Sequence, residues 1–394
     1  MTLQYLTAGE SHGPGLMAIL EGLPAGLELS EDVINEQLGR RQRGFGSGPR
    51  MKIESDKARI LAGVMAGRTT GAPLGLLIEN QDHARWAGVE APPMTVPRPG
   101  HADLTGAVKY GYDDLRLSLE RASARETAAR VAVGAVCRHF LTSFGIQIGG
   151  YVRRIGEVEA DIDADDLSAN ACLAETNDLR CPDPAAEARM RQAVEQAMQA
   201  RDTLGGVIEV FAVGLPPGLG SHVHWERRLD SRLGAAVLSV PAMKGVEFGQ
   251  AFHNASLRGA HAQDAIRLDQ GRITRPTNRA GGLEGGMSNG QPLIVRAAMK
   301  PIATTLTPQE SVDLEKGVEK NTVYERSDFC PTPRAVPILE AVVAIELARA
   351  LLEKLGGDSM DEMLPRMQAL RGMRLEDFAM RGQGQVFWPG ERAE

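Results

Sequence analysis

Two histidines sit in short segments whose composition suits acid–base chemistry. Gly9-Glu10-Ser11-His12-Gly13-Pro14-Gly15 sets a hydroxyl and an imidazole among glycines, where backbone can approach a ligand closely. Arg98-Pro99-Gly100-His101-Ala102-Asp103 presents an arginine, an imidazole and a carboxylate from a stiffened turn, a set suited to a proton donor tuned by Asp103. Taken singly, each segment is better read as a plain polar turn, since glycine and proline are the ordinary marks of one. Arginines gather in two places. Arg40, Arg41, Arg43 and Arg50 surround Gly44, Gly46 and Gly48, a glycine-rich turn able to grip carboxylate or phosphate by paired hydrogen bonds. Arg40 and Arg41 also end a helix spanning Ser30 to Arg43, a position that favours cations on its own account. Glu120-Arg121-Ala122-Ser123-Ala124-Arg125-Glu126-Thr127 joins two arginines to a helix start, whose free N–H groups favour an anion. Late in the chain, Lys300-Pro301-Ile302-Ala303-Thr304 ends a strand pattern and Arg326-Ser327-Asp328 precedes a long apolar helix, with Asp328 also suited to capping a turn. His222 and His224 share one face of a strand pattern, but no further ligand spacing accompanies them and no metal site is expected.

These groups point to an enzyme for a small polyanion, with histidines as acids and one aspartate as base. A net charge of −7 argues against general affinity for nucleic acid, while the clustered arginines suit a local anion site. The phosphate loop Gly-x-x-x-x-Gly-Lys-Ser/Thr and an early Gly-x-Gly-x-x-Gly after a strand are both missing, which excludes the common nucleotide cradles. The cysteines Cys137, Cys172, Cys181 and Cys330 form no Cys-x-x-Cys pair and read as reduced thiols. No apolar run approaches the roughly 18 residues of a membrane span, and the first residues lack a signal-peptide pattern, so a cytoplasmic location is expected.

The elements that must position these groups follow from an internal echo. Gly22-Leu23-Pro24-Ala25-Gly26-Leu27 recurs as Gly214-Leu215-Pro216-Pro217-Gly218-Leu219, and Gly67-Arg68-Thr69-Thr70-Gly71 as Gly286-Met287-Ser288-Asn289-Gly290. Two related halves, roughly 1–141 and 203–357, are therefore expected, joined by segment 142–202 within a single domain spanning 1–394. Each half closes with a long helix, one beginning at Ser123 with a Ser123/Glu126 capping box, the other at Pro337 and ending at Gly356-Gly357. Strands are expected where Val207, Phe211 and Val213 alternate around Glu209 and where Leu293, Val295, Ala297 and Met299 alternate, with largely antiparallel pairing. An α+β layering with sheets outside and helices between hides both kinds of element. Gly249 to Gly282 is an insertion in the second half, of the kind that forms lids or binding loops.

In their order along nearly the whole chain, the segments resemble the chorismate synthase family: the Gly-Glu-Ser-His-Gly start, Arg98 to Asp103, Arg121-Ala-Ser-Ala-Arg-Glu-Thr127, Met243-Lys-Gly-Val-Glu-Phe248, Asn278-Arg-Ala-Gly-Gly282, Ser288-Asn-Gly290 and Arg326-Ser-Asp328. The resemblance implies anti 1,4-elimination of phosphate from 5-enolpyruvylshikimate 3-phosphate to give chorismate, the last step of the shikimate pathway, with reduced FMN and no net oxidation. It implies that His12 protonates the leaving phosphate, that His101 protonates the reduced flavin, and that Asp328 partners the flavin nitrogen that takes up the substrate hydrogen. Ser11, Arg41, Arg50, Arg98, Arg125 and Arg326 resemble the substrate's anion clamp. FMN contacts carry over to Arg41, Arg121, Ala122, Ser123, Gly285, Lys300, Pro301, Ile302, Ala303, Thr304 and Arg326, and to His261 and Ala262 in a loop that departs from the family's usual pattern. Ser47 stands where many relatives have an arginine that contacts phosphate or reduced nucleotide, with Arg43 nearby as a replacement. NADPH is a candidate reductant, and the lack of an obvious added reductase domain favours an external source. The family's fold is a β-α-β sandwich with central helices between antiparallel sheets, usually assembled as a homotetramer. The alternative is a flavin-dependent oxidoreductase acting on a small polyanion, which would leave its substrate with a net redox change; a non-catalytic anion-binding module would tolerate loss of His12, His101 and Asp328.

Overall fold

Alternating apolar positions in the first eighty residues build β1 (Gln4–Ala8), β2 (Gly15–Glu21), β3 (Ala58–Ala62) and β4 (Leu74–Glu79), which form one antiparallel sheet in the order β1-β2-β4-β3. Leu16, Ala18, Leu20, Leu74, Leu76 and Ile78 point to the core from this sheet, while Met17 and Ile19 point outwards. The computed structural model describes residues 2–47, 55–86, 88–89, 91–163, 166–323, 328–378 and 380. The second sheet combines β5 (Gln147–Ile155), β6 (Val158–Glu159), β7 (Gly206–Val213), β8 (Met243–Phe248) and β9 (Leu293–Met299) in the order β8-β9-β7-β5-β6, again antiparallel throughout. The molecule is thus mixed α/β with antiparallel sheets.

The helices that matter for the site are α1 (Glu31–Gln42), α2 (Asp103–Tyr110), α3 (Arg116–Ala122), α4 (Thr127–Thr142), α5 (Leu167–Glu175), α6 (Pro184–Gln199), α7 (Leu229–Leu238) and α8 (Thr332–Leu355). The buried helices α4 and α8 pack on one another, α4 also meeting β2 and α8 meeting β5 and β7. The two helices are tightly packed at Gly134, where a Cβ would lie 2.3 Å from the Ala341 Cβ and 2.5 Å from its Cα.

Two sequence expectations are corrected. First, α4 begins at Thr127, after a 3-10 turn over Ala124–Glu126 whose cap is Ser123 Oγ accepting from the Arg125 N–H. Glu126 does not close a capping box; it accepts from Thr7 Oγ1 at 2.7 Å and pairs with Arg130 at 2.9 Å. Second, α8 begins at Thr332, so Pro333 holds the first-turn position and Pro337 lies inside the helix. The expected strand around Glu209 forms as β7, with Ile208, Val210 and Ala212 on its core-facing side. Phe211 instead joins Tyr151, Leu167, Ala174 and Ile294 in a second small core, and buried Glu209 accepts from the Tyr151 hydroxyl. Because Phe211 shares that small core with Leu167 and Ala174 of α5, β7 is buried on both faces and its alternation does not reveal which face is inner.

The glycine echoes are built alike. Thr69 Oγ1 donates to Pro24 O at 2.6 Å and accepts from Leu27 N at 3.0 Å. Ser288 Oγ donates to Pro216 O at 2.6 Å and accepts from Leu219 N at 2.8 Å. Gly26 and Gly218, at φ +92° and +84°, donate in turn to the Thr69 and Ser288 carbonyls. Cys137, Cys181 and Cys330 are buried and Cys172 is exposed; burial pushes Cys137 up to about 12. No helix among the described residues is long and apolar enough to cross a membrane, and no group of three or more His, Cys, Asp or Glu side chains among them is placed to hold a metal ion.

Candidate active site

The β1–β2 loop, the segment leading into α2, the α3–α4 junction, the end of β9 and the start of α8 converge on a cavity of about 910 Å³. Two imidazoles line it. Glu120, near the end of α3, accepts from the His12 backbone N–H at 2.8 Å and meets His12 Nδ1 at 2.6 Å. A carboxylate on Nδ1 holds the proton there and leaves Nε2 to exchange protons with a ligand. The Trp86 ring lies 4.8 Å from the His12 ring, tilted at 49°, and Ser123 Oγ donates to Ser11 Oγ at 3.2 Å.

His101 repeats the pattern with a different carboxylate. Its Nδ1 lies 2.6 Å from Asp103 Oδ1. Asp103 also accepts from Arg98 Nε at 2.8 Å, Arg98 Nη2 at 3.0 Å and the Arg98 backbone N–H at 3.1 Å. Burial alone would raise the Asp103 pKa, but the hydrogen bonds from His101 and Arg98 outweigh it and hold the carboxyl well below the usual range. Gly100, at φ +75°, lets Lys300 Nζ reach the Gly100 carbonyl at 2.7 Å, where a Cβ would sit 2.9 Å from that nitrogen. Arg98 Nη1 donates to Thr304 Oγ1 at 3.2 Å, joining this turn to the end of β9.

Deeper in the cavity lie Arg41 from the last turn of α1, Arg125 from the 3-10 turn and Arg334 from the first turn of α8. Asp56 accepts from Arg125 Nη1 and lies 3.3 Å from Arg41 Nη1. Arg41 also donates to Thr127 Oγ1 at 3.1 Å and to Ala124 O at 2.9 Å. Arg334 pairs with Asp328 and donates from Nε to Arg41 O at 3.2 Å. Burial lowers Arg41 to about 9, with repulsion from Arg334 and Arg125 only partly offset by Asp56. Arg41 is therefore protonated at neutral pH in surroundings that a bound anion would relieve. Its neighbour Arg40 turns away from the cavity into a buried network with Glu340 at 2.5 Å and Glu175 at 2.6 Å, so that cation is a strut and more than a helix-end charge.

Of the residues singled out in the sequence, the cavity brings together Ser11, His12, Arg41, Arg98, His101, Arg121, Ala122, Ser123, Arg125, Lys300, Ile302, Ala303, Thr304 and Asp328. Pro301, between two lining residues, is exposed and does not line it. Ser47 turns back to the Gly44 carbonyl at 2.5 Å, and Gly285, His261 and Ala262 also lie off the cavity lining, as does the whole of 249–282. Insertion 249–282 forms short helices at Ala251–Asn254 and Gly259–Ala262 and a hairpin of Arg267–Asp269 with Arg272–Thr274. Arg50 and Arg326 lie outside the described residues. His222 and His224 are exposed. Sequence reasoning passed over Trp86 and Arg334, and it gave Glu120 no role; the one available signal was that Glu120 begins the arginine-bearing segment at the helix start.

Two carboxylate-anchored imidazoles facing buried arginines, in a mixed α/β fold with antiparallel sheets, define an enzyme that handles a small polyanion. The family model described as chorismate synthase matches residues 3–352. The chain is 52% identical over 378 residues to chorismate synthase of Trichlorobacter lovleyi, covering 92% of this chain and 96% of that one. It is 49% identical over 384 residues to chorismate synthase of Aquifex aeolicus, covering 93% and 96%. A crystal structure of chorismate synthase superposes with a TM-score of 0.77 at 43% identity, covering 94% of this chain and 97% of that one. The chain belongs to the chorismate synthase family and is a lyase that eliminates phosphate.

Proposed function

We propose that the cavity converts 5-enolpyruvylshikimate 3-phosphate to chorismate and phosphate by anti 1,4-elimination, the last step of the shikimate pathway, with FMN as the reduced flavin. The observation that carries this reading is the meeting in one cavity of His12, anchored by Glu120, the buried cations Arg41 and Arg125, and the half-buried Arg334. Arg41, Arg98 and Arg125, with Ser11 and with Arg50 and Arg326 from outside the described residues, hold the substrate's phosphate and carboxylates by charge-assisted hydrogen bonds. His12 delivers a proton from Nε2 to the departing phosphate, and Glu120 stabilises the ring's charge and orientation. His101, oriented by Asp103, would hold a proton at Nε2 for the reduced flavin, and Asp328, held by Arg334, would supply the carboxylate that partners the flavin nitrogen.

The lining residues fit a flavin. Met299, Ile302 and Ala303 offer an apolar wall for a planar ring, Lys300 and Thr304 flank it with polar groups, and Arg121 and Ser123, at the end of α3 and the start of the 3-10 turn, offer a guanidinium and a hydroxyl to a phosphate. When bound, reduced flavin supplies electron density transiently and receives the hydrogen leaving the substrate ring. The protein's own part is to hold substrate against that wall and keep the charges of phosphate compensated. Reduced flavin is taken from an external reductant, with NADPH the candidate for a direct one.

The wider reading is a single domain over 1–394 forming a β-α-β sandwich, with a pseudo-twofold relation between halves 1–141 and 203–357 and 142–202 as connector. The matching hydrogen bonds of Thr69 and Ser288 support the repeat. A homotetramer in the cytoplasm is the proposed working state. The test is anaerobic incubation of the protein with 5-enolpyruvylshikimate 3-phosphate and chemically reduced FMN, measuring chorismate and phosphate. Equal amounts of both from the wild type, with large losses in His12→Ala and Asp328→Ala, are expected. Release of no phosphate, or a net redox change in the substrate, would overturn the proposal. Anaerobic NADPH consumption with oxidised FMN would contradict the external reductant.

A further inference from the structure

The structure assigns to Asn80 the coupling of Arg125 to His12, an inference that rests on the roles proposed above for those two residues. Asn80 follows β4 directly and is only 5% exposed. Its Nδ2 donates to Glu10 O at 3.0 Å and Gly13 O at 2.8 Å, the carbonyls on either side of the Ser11-His12 pair. Its Oδ1 accepts from Arg125 Nε at 2.8 Å. Its backbone N–H donates to Pro14 O at 3.1 Å, fastening the far end of the same loop. The orientation of the amide follows from its neighbours, since exchanging O and N would set an acceptor against two carbonyls and a donor against a guanidinium.

One rigid, planar group thus joins the cation that grips the anion to the loop that carries the proton donor. The segment beyond it supports the same loop, with His83 Nδ1 2.9 Å from the His12 carbonyl and the Trp86 ring 4.8 Å from the imidazole. Because Asn80 is a positioning residue and does not face the reacting atoms, it acts through the placement of His12 when Arg125 is drawn onto a ligand. Aspartate cannot replace it there. A carboxylate keeps the acceptor for Arg125 but sets its second oxygen against the Glu10 and Gly13 carbonyls, so the two halves of the coupling can be separated by a single substitution.

The test is steady-state phosphate release under anaerobic conditions with reduced FMN and 5-enolpyruvylshikimate 3-phosphate, on the wild type, Asn80→Asp, Asn80→Ala, His12→Ala and Arg125→Ala. In Asn80→Asp kcat falls about 30-fold while KM stays within about threefold, because only the His12 side is disturbed. In Asn80→Ala both sides are released, so kcat falls and KM rises at least about fivefold. A lowered Tm in both variants with no separation of kcat from KM, or wild-type kinetics in Asn80→Asp, overturns the inference. Should Asn80→Asp not fold, the cycle of Asn80→Ala with Arg125→Lys decides: a combined loss smaller than the product of the single losses supports coupling, and a simple product overturns it. Wild-type rates in His12→Ala or Arg125→Ala would instead overturn the roles on which the inference stands, and would be visible in the same measurements.

Discussion

His12 and His101 are each tied through Nδ1 to a carboxylate oxygen at 2.6 Å, yet the two acids are built differently. Asp103 is fully buried and divides its charge between His101 and three donors of Arg98. Glu120 retains 16% exposure at its side chain and offers one oxygen to the His12 ring and the other to the His12 backbone. The first acid balances a buried cation as well as orienting an imidazole, whereas the second chiefly orients one. Similar dyads can therefore differ in what they contribute to stability and to turnover.

Removing each acid should expose that difference. Asp103→Ala leaves Arg98 buried beside no carboxylate, so chemical denaturation should show a loss of about 3–5 kcal/mol. A loss under about 1 kcal/mol would erase the contrast between the dyads. Glu120→Gln should keep stability within about 1 kcal/mol while lowering kcat about 10–100-fold, because the amide holds the ring but does not compensate the charge of the proton-donating imidazolium. Equal effects on denaturation midpoint from both substitutions would likewise break the comparison.

Acid titration sharpens it. The Asp103 pKa is depressed in the folded state, so its contribution is complete above the ordinary carboxylate value of about 3.9 and is lost as pH falls below that towards the folded value. The stability gap between wild type and Asp103→Asn should stay constant from about pH 5 to 8 and shrink below about pH 4. A gap that widens on acidification would have the wrong sign. The smallest effect is expected at Trp86, whose ring contact steadies His12: Trp86→Ala should cost about 3–10-fold in kcat and Trp86→Phe less, with the His101 side unaffected.

Much of the site was legible because His12 and His101 sit among glycines and prolines, and because Arg41 and Arg125 sit at a helix end and a helix start. Glu120 and Asn80 carried no comparable mark. Their partners lie 108 and 67 or 70 positions away, and such hydrogen bonds exist only once the sheets and helices have closed. The antiparallel sheets followed from alternation, but the inner face of β7 did not, since α5 supplies an apolar partner to the outer face. Pro337 read as a helix start because proline suits the first turn; Pro333, four residues earlier, suits it too, and the buried helix tolerates the second proline. Ser47, Gly285, His261 and Ala262 were assigned through resemblance alone, and no property of their side chains placed them near the histidines.

The contact at Gly134 works as a caliper. Helix α4 opens just after Arg125, and Ala341 lies seven residues beyond Arg334 on α8, roughly 10 Å along the axis. With no room for even a methyl group between Gly134 and Ala341, the gap between those two guanidinium-bearing ends is set at the middle of the helices. A single added carbon at Gly134 would pry the ends apart, and the spacing available to a phosphate would change without any alteration of the groups that hold it.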